Sequence, residues 1–307
     1  MRAAVLEELG TPVPGEFRDP EPASGAALVE VVAAGVNHLD LAKATGRFYT
    51  GPPPLPSVVG SDGVGRRTDG RLVYFDTTVG PFGSMAERTL VPEDSLIPAP
   101  EDVDPVILAG MGNAGLAAHT ALHWRAGLQP GETVVVLGAT GVVGRFAVQI
   151  ARLLGAGRVV AVGRDPEQLA HTAELGADAT VQLGAVDDLP GALAGANVIV
   201  DLLWGEPAVA ALTQAAHGAR LIQVGQLAAA ETAVAAPLLR SRAIDIRGHA
   251  VFHAPQDVRA AAYAQLGEAC ASGDLHVDVE AVPIGEVQHA WSRQAAGTGG
   301  VKLVIVP

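Results

Sequence analysis

A chain of 307 residues, 49% of them hydrophobic, holds more apolar material than one core usually absorbs and predicts two domains. Its formal net charge of -13, with the 20 Lys and Arg scattered, excludes a large polyanionic partner such as nucleic acid, which needs a concentrated basic surface. The sole cysteine, Cys270, cannot close a disulfide within the chain or build a multi-thiolate zinc cage. No window offers about 18 apolar residues free of charge or turn residues, and the start MRAAVLEELG is acidic where a signal peptide needs an apolar core, so the chain reads as soluble and cytoplasmic, with no membrane partner. Lysine occurs only as Lys43 and Lys302, against eighteen arginines, a skew read as compositional bias.

In chain order, residues up to about Pro100 are rich in Pro and Gly. Short apolar runs such as ALVEVVAAGV and RLVYF stand between turn signals and predict an irregular β domain. From about Asp104 the texture changes. PVILAGMGNAGLAAHTALHW is helix-forming, LQPGE is a turn, and TVVVLGATGVVGRFAVQIARLLGA predicts a buried strand, a glycine turn and an amphipathic helix. The alternation continues through strand RVVAVG, a helix from Pro166 to about Leu175, strands ATVQL and NVIVDLLW, helix PAVAALTQAA, and strands ARLIQVG and IDIRGHAVF. Such an order calls for a parallel sheet covered on both faces. The tail from Asp257 predicts helices in VRAAAYAQLGEACASG and GEVQHAWSRQ and a final strand VKLVIVP that returns to the first domain. The expected fold is α/β: residues 1–112 and 250–307 form one domain, and 113–249 a doubly wound dinucleotide-binding domain.

In VVVLGATGVVGRF, Gly138, Gly141 and Gly144 fall three apart between a β-branched strand and a helix. Gly138 allows the tight turn, Gly141 lets backbone N–H groups approach a pyrophosphate, and Gly144 permits close helix–strand packing, while the helix N-terminus supplies positive partial charge. With Ala139, Thr140, Val142 and Val143 they form the candidate phosphate cradle; a merely structural turn is the alternative. The next strand ends in Gly163, where an NAD site places Asp or Glu for the ribose hydroxyls. Arg164 follows, placed to pair with a 2′-phosphate, so NADP(H) is the expected cofactor; a solvated surface arginine is the alternative. Asp165 and Pro166 read as a helix N-cap and its first residue. The turn also resembles that of short-chain dehydrogenases, but their Tyr with Lys four residues later is absent: Tyr49, Tyr74 and Tyr263 are followed at that spacing by Pro53, Thr78 and Gly267.

GVNHLD, VVGSDGVG, LQPGETVVVLGATGVVG and GTGGVKLVIV stand in the order found in the medium-chain dehydrogenase/reductase superfamily, which the chain resembles over nearly its whole length. The resemblance implies a GroES-like β domain, an embedded Rossmann domain and a returning C-terminal segment. Zinc-dependent alcohol dehydrogenases of that superfamily carry Cys-His where this chain has Asn37-His38, and His-Glu where it has Ser61-Asp62. Neither Asn37 nor Ser61 supplies a thiolate or imidazole, so no zinc is expected. His38 and Asp40 alone give no coordination sphere, and Asp40 is expected to cap a helix beginning near Leu41.

What remains resembles the zinc-free quinone oxidoreductase branch. That resemblance implies Asn37, Tyr49 and Asp40 as catalytic residues, adds Val224, Gly225, Phe252 and Lys302 to the cofactor contacts, and implies a homodimer paired through IDIRGHAVF. The implied substrate is a small quinone or α,β-unsaturated carbonyl: without a Lewis acid the acceptor must itself take hydride readily. Asn37 or Tyr49 hydrogen-bonds the developing enolate oxygen in this scheme, and Tyr49 or water delivers the proton; Tyr49 as a mere pocket wall is the alternative. An enoyl reductase of a biosynthetic intermediate, or an NADPH-binding scaffold with negligible turnover, are the other readings left open. Val142 departs from a usual glycine and Ala117 from a common threonine. Gln168 and Gln182 fall where relatives often have Lys and Tyr around the 2′-phosphate, which leaves NADPH preference largely to Arg164.

Overall fold

The β-branched runs in the middle of the chain fold into one parallel sheet. Thr133–Leu137, Arg158–Gly163, Ala179–Gln182, Ala196–Asp201, Ala215–Gln223 and Asp245–Gly248 lie in the order third, second, first, fourth, fifth, sixth, and every neighbouring pair is parallel. That is the doubly wound dinucleotide-binding order, whose ligand crevice opens at the carboxyl ends of the first and fourth strands. Val134, Val135, Val136 and Leu137 are fully buried, as a strand covered on both faces requires. The computed structural model describes residues 1–184 and 189–307. They divide into Gly115–Arg259, which holds this sheet, and Met1–Ala114 with Ala260–Pro307. Among the described residues no helix is long and apolar enough to cross a membrane.

Local signals explain several boundaries in the sheet-bearing unit. Asp165 caps the helix Pro166–Glu174 by accepting from the N–H groups of Glu167 and Gln168, and proline at the first position needs no donor partner there. The predicted strand IDIRGHAVF is shorter than expected: it ends at Gly248, and Val251–His253 form a 3₁₀ turn. A short helix, Ala236–Arg242, was not predicted. The helix-forming run after Asp104 is also not uniform. It spans Pro105–His119 with a break at Gly112, then continues as a π-helical turn over Thr120–Ala126.

In the other unit, Val279–Pro283, Lys302–Val306, Ala26–Gly35, Gly63–Arg67, Leu72–Phe75 and Ile97–Pro98 form a sheet in that order, and Arg88–Pro92 also pairs with Ala26–Gly35. Only the first pair is parallel. Arg2–Leu6 is the centre of a smaller sheet flanked by Val13–Glu16 and Ser57–Val58. Leu6, Val31, Phe75, Met85, Trp291 and Ile305 belong to one buried cluster. The returning strand matters most for the site: Val304 pairs with Gly35 and Ile305 with Ala34, which brings Lys302 to the loop carrying Asn37.

Candidate functional site

That loop holds a buried polar network. Lys302 is 3% exposed, and its ammonium donates to Val36 O at 2.7 Å and to Asn37 Oδ1 at 2.5 Å. Asn37 Nδ2 donates to Asp62 Oδ1 at 2.7 Å and to Asp40 Oδ2 at 3.1 Å, with Gly35 O at 3.3 Å. Asp40 Oδ1 accepts from Ser61 Oγ at 2.7 Å, and Ser61 Oγ accepts from Lys43 Nζ at 2.9 Å. Asp62 Oδ2 accepts from Asn113 N at 2.9 Å and, at 3.4 Å, from Tyr74 OH. The break at Gly112 makes the Asn113 contact; a side chain at 112 would reach within 2.6 Å of the Tyr74 ring and 2.8 Å of Asp62 Oδ2. The Tyr74 ring stacks on Tyr263 with centroids 4.3 Å apart.

Burial sets the electrostatics here. It pushes the Asp62 carboxyl up to about 6, with Lys302 pulling back and Asp40 adding to the rise. The same burial lowers the Lys302 ammonium against the attraction of Asp62 and Asp40. A charged form that loses its water is disfavoured unless neighbours replace that solvation, and here the two signs replace it only in part, since burial outweighs the pairing at both groups.

This geometry revises the sequence expectations. The helix His38–Ala44 begins earlier than expected, with Asn37 as N-cap. Asp40 sits at its third position and accepts from Asn37 N at 2.9 Å, the reaching-back half of a capping box rather than the cap itself. Asp40 is 2% exposed and held inside the network. Both protons of the Asn37 amide face internal acceptors, which ties its side chain to Gly35, Asp40 and Asp62. Lys302, expected on the cofactor, has its ammonium tied to Val36 and Asn37. His38 is exposed while Asp40 turns inward, so that pair is not brought together. Tyr49 is 69% exposed, its ring 3.9 Å from that of Phe48.

These donors do not fit zinc. The amide oxygen of Asn37 already accepts from an ammonium, and the Ser61 hydroxyl is held between Lys43 and Asp40, so neither offers the thiolate or imidazole lone pair that zinc takes. The Lys302 charge itself repels a dication. Among the described residues, no group of three or more His, Cys, Asp and Glu is arranged to hold a metal.

In the other unit, the glycine turn sits at the carboxyl end of the first parallel strand. Gly138 N and Ala139 N both donate to Val162 O at 2.9 Å, tying the turn to the neighbouring strand. A Cβ on Gly144 would lie 2.3 Å from Gly138 O, whereas one on Gly141 would meet only Gly138 O, at 3.7 Å. Gly144 is therefore a packing requirement, whereas Gly141 leaves open the space in front of the helix Val142–Leu153. Val142 and Val143 are half-buried in its first turn. A Cβ on Gly163 would stand 2.7 Å from Thr140 Cγ2, so this strand end leaves little room for an acidic side chain. Arg164 is exposed, and Gln182 Nε2 donates to its carbonyl at 3.1 Å. Val224 N and Gly225 N donate to Asp201 O at 2.8 and 3.1 Å, which places both at the carboxyl end of the sheet, while Phe252 is exposed in the 3₁₀ turn.

Sequence reasoning missed Arg145 and Asp201. Arg145 is buried on the helix after the turn and donates to Gln168 Oε1; its signal was an arginine on the apolar face of an amphipathic helix. Asp201, fully buried at the end of the fourth strand, accepts from Leu203 N and Trp204 N at 2.9 and 2.8 Å, and burial raises its carboxyl against those bonds.

Residues 142–266 match the model of a family described as zinc-binding dehydrogenase, a span that excludes Asn37, Ser61 and Lys302. The chain is 30% identical over 271 residues to a probable NADPH-dependent quinone reductase of Emericella nidulans, covering 74% of this chain and 76% of that one. It is 29% identical over 244 residues to a quinone oxidoreductase-like protein 2 homolog of Nematostella vectensis, covering 73% of this chain but less than two thirds, 65%, of that one. The quinone oxidoreductase of Thermus thermophilus, solved also in complex with NADPH, is similar with a TM-score of 0.83 and 29% identity, covering 100% of both chains.

Proposed function

This chain belongs to the medium-chain dehydrogenase/reductase superfamily, in its quinone oxidoreductase branch, and from that premise we propose that it is a zinc-independent reductase using NADPH to reduce a quinone or an α,β-unsaturated carbonyl. The observation that carries this reading is the Lys302 ammonium on Asn37 Oδ1, at the position where zinc-dependent relatives hold a metal ligand. With no electrophilic ion to polarise an unactivated carbonyl, the acceptor's own conjugation must accept the electron pair.

Gly138, Ala139, Thr140, Gly141, Val142 and Val143 hold the pyrophosphate through backbone N–H groups and the helix N-terminus. Arg164, with Arg145 as a second cation, pairs with the 2′-phosphate, and the space taken by Thr140 beside Gly163 supports the absence of an NAD-selecting carboxylate. NADPH bound there supplies the hydride. Tyr49, on an exposed segment, or water delivers the proton to the reduced acceptor. A homodimer pairs the edge strand Asp245–Gly248.

Metal-analysed protein with NADPH and a panel of quinones and enones tests the reading through loss of NADPH absorbance. Turnover without stoichiometric zinc is expected; oxidation of simple aliphatic alcohols only on addition of a divalent cation refutes it. Arg164→Ala raises the NADPH Michaelis constant about tenfold or more, the worth of one charge-assisted hydrogen bond, with little change for NADH. Equal effects on the two cofactors discard the role of Arg164.

A further inference from the structure

The two lysines of the chain end on the same network: Lys302 on Asn37, and Lys43 on Ser61, which donates to Asp40. In a sequence that uses arginine for the other eighteen basic side chains, an ammonium at both ends of one network calls for a physical reason. An ammonium is a compact point charge with three rotatable donors, whereas a guanidinium is a wide rigid fork. At Lys302 the enclosure explains the choice. Lys43 is only half-buried, so enclosure does not explain it.

Lys43 instead lines a cavity of about 150 Å³ within the N-terminal unit. Lys43, Ser61 and Asp40, with Ser57 and Thr78, contribute its polar lining, and Leu6, Pro54, Val58 and Phe82 are among its apolar walls. An apolar cavity of about 150 Å³ accommodates one benzene ring. Among the described residues, Ser61 Oγ is the hydrogen-bond acceptor of Lys43, at 2.9 Å, which leaves two ammonium protons, and the Phe48 ring lies 5.7 Å from Nζ. Ser61 accepts from Lys43 while donating to Asp40, so the relay fixes the ammonium without neutralising it by direct contact.

We propose that this cavity is the acceptor subsite, that it takes a conjugated carbonyl of about one ring's size with its oxygen on Lys43 Nζ, and that Lys43 stabilises the oxyanion formed there. The inference rests on the reductase reading above and gives it a substrate class. In the reaction, the C–H bond of the hydride donor breaks and a C–H bond forms at the acceptor's β-carbon with the same electron pair. The C=C π pair moves toward the carbonyl carbon and the carbonyl π pair moves onto oxygen, giving an enolate held by Lys43. Water then protonates the α-carbon, leaving hydroxide, the saturated carbonyl and NADP⁺. Lys43 thus supplies the preorganised donor that catalysis at a developing oxyanion requires.

The test needs no cofactor. The 4-nitrophenolate anion is a one-ring oxyanion like the enolate, and nitrobenzene is its uncharged counterpart. The wild-type protein is expected to bind 4-nitrophenolate, 2-cyclohexen-1-one is expected to displace it, and Lys43→Met is expected to weaken 4-nitrophenolate by about tenfold or more while leaving nitrobenzene unchanged. Unfolding midpoints report whether the variant is folded, and the displacement by enone stands on the wild type alone. No binding by the wild type, no displacement, or equal phenolate affinity in folded Lys43→Met overturns the inference. NADPH binding and acceptor turnover by the wild type are measured separately: a protein that binds phenolate as expected but reduces no acceptor overturns the reductase reading, and this inference with it.

Discussion

Asp62→Asn removes the ionisable group at the centre of the network while keeping its size. Burial holds the Asp62 carboxyl at about 6, roughly 2 units above its ordinary value. The native state therefore binds this proton more tightly than the unfolded chain does. Between about pH 4 and about pH 6 the folded protein carries more of it, so the stability owed to this group falls as pH rises through that window. Two units at 1.36 kcal/mol each give about 3 kcal/mol. Other groups slope the opposite way: burial holds the His249 ring down at about 4, and paired carboxylates such as Asp178 are lowered. The signal is therefore the difference between two proteins, in which those groups cancel. Asparagine also presents a donor to either Asn113 N or Asn37 Nδ2, a mismatch costing about 1–3 kcal/mol at every pH. Urea unfolding of both proteins across the window should show the wild-type advantage shrinking by about 3 kcal/mol toward neutral pH. A difference independent of pH refutes the reasoning, because Lys302 would then compensate Asp62 fully. A difference that grows toward neutral pH reverses it.

Lys302→Met leaves Asp40 and Asp62 without their cation and Val36 O and Asn37 Oδ1 without a donor; a loss of about 3–5 kcal/mol is expected in urea unfolding, with partial recovery when Asp62→Asn is added. At the glycine turn the two positions should separate. Gly144→Ala drives a Cβ into Gly138 O and should cost about 1–3 kcal/mol of stability, whereas Gly141→Ala should keep the unfolding midpoint and lose most of the rise that NADPH confers on the wild type.

What was legible in the sequence was what neighbours in the chain decide. Gly138, Gly141 and Gly144 act on one turn, and Asp165 caps a helix two residues on, so spacing alone revealed them. The parallel sheet was legible for the same reason, since each strand announces itself by its own apolar run. The bonding of Asn37 was not legible because its partners are distant: Asp62 is 25 residues away and Lys302 is 265 away. A side chain that looks like a hydrogen-bond donor in a motif is one only while its protons remain uncommitted, and their commitment is decided by the returning strand. Lys43 escaped for a related reason, because a rare residue type read as genomic bias carries no signal until both of its occurrences converge on one network. Near Asn37 the sequence therefore announced a polar site, whereas the division of labour within it, with Asn37 and Lys302 organising and Lys43 facing the cavity, depends on strand pairing that no local pattern records.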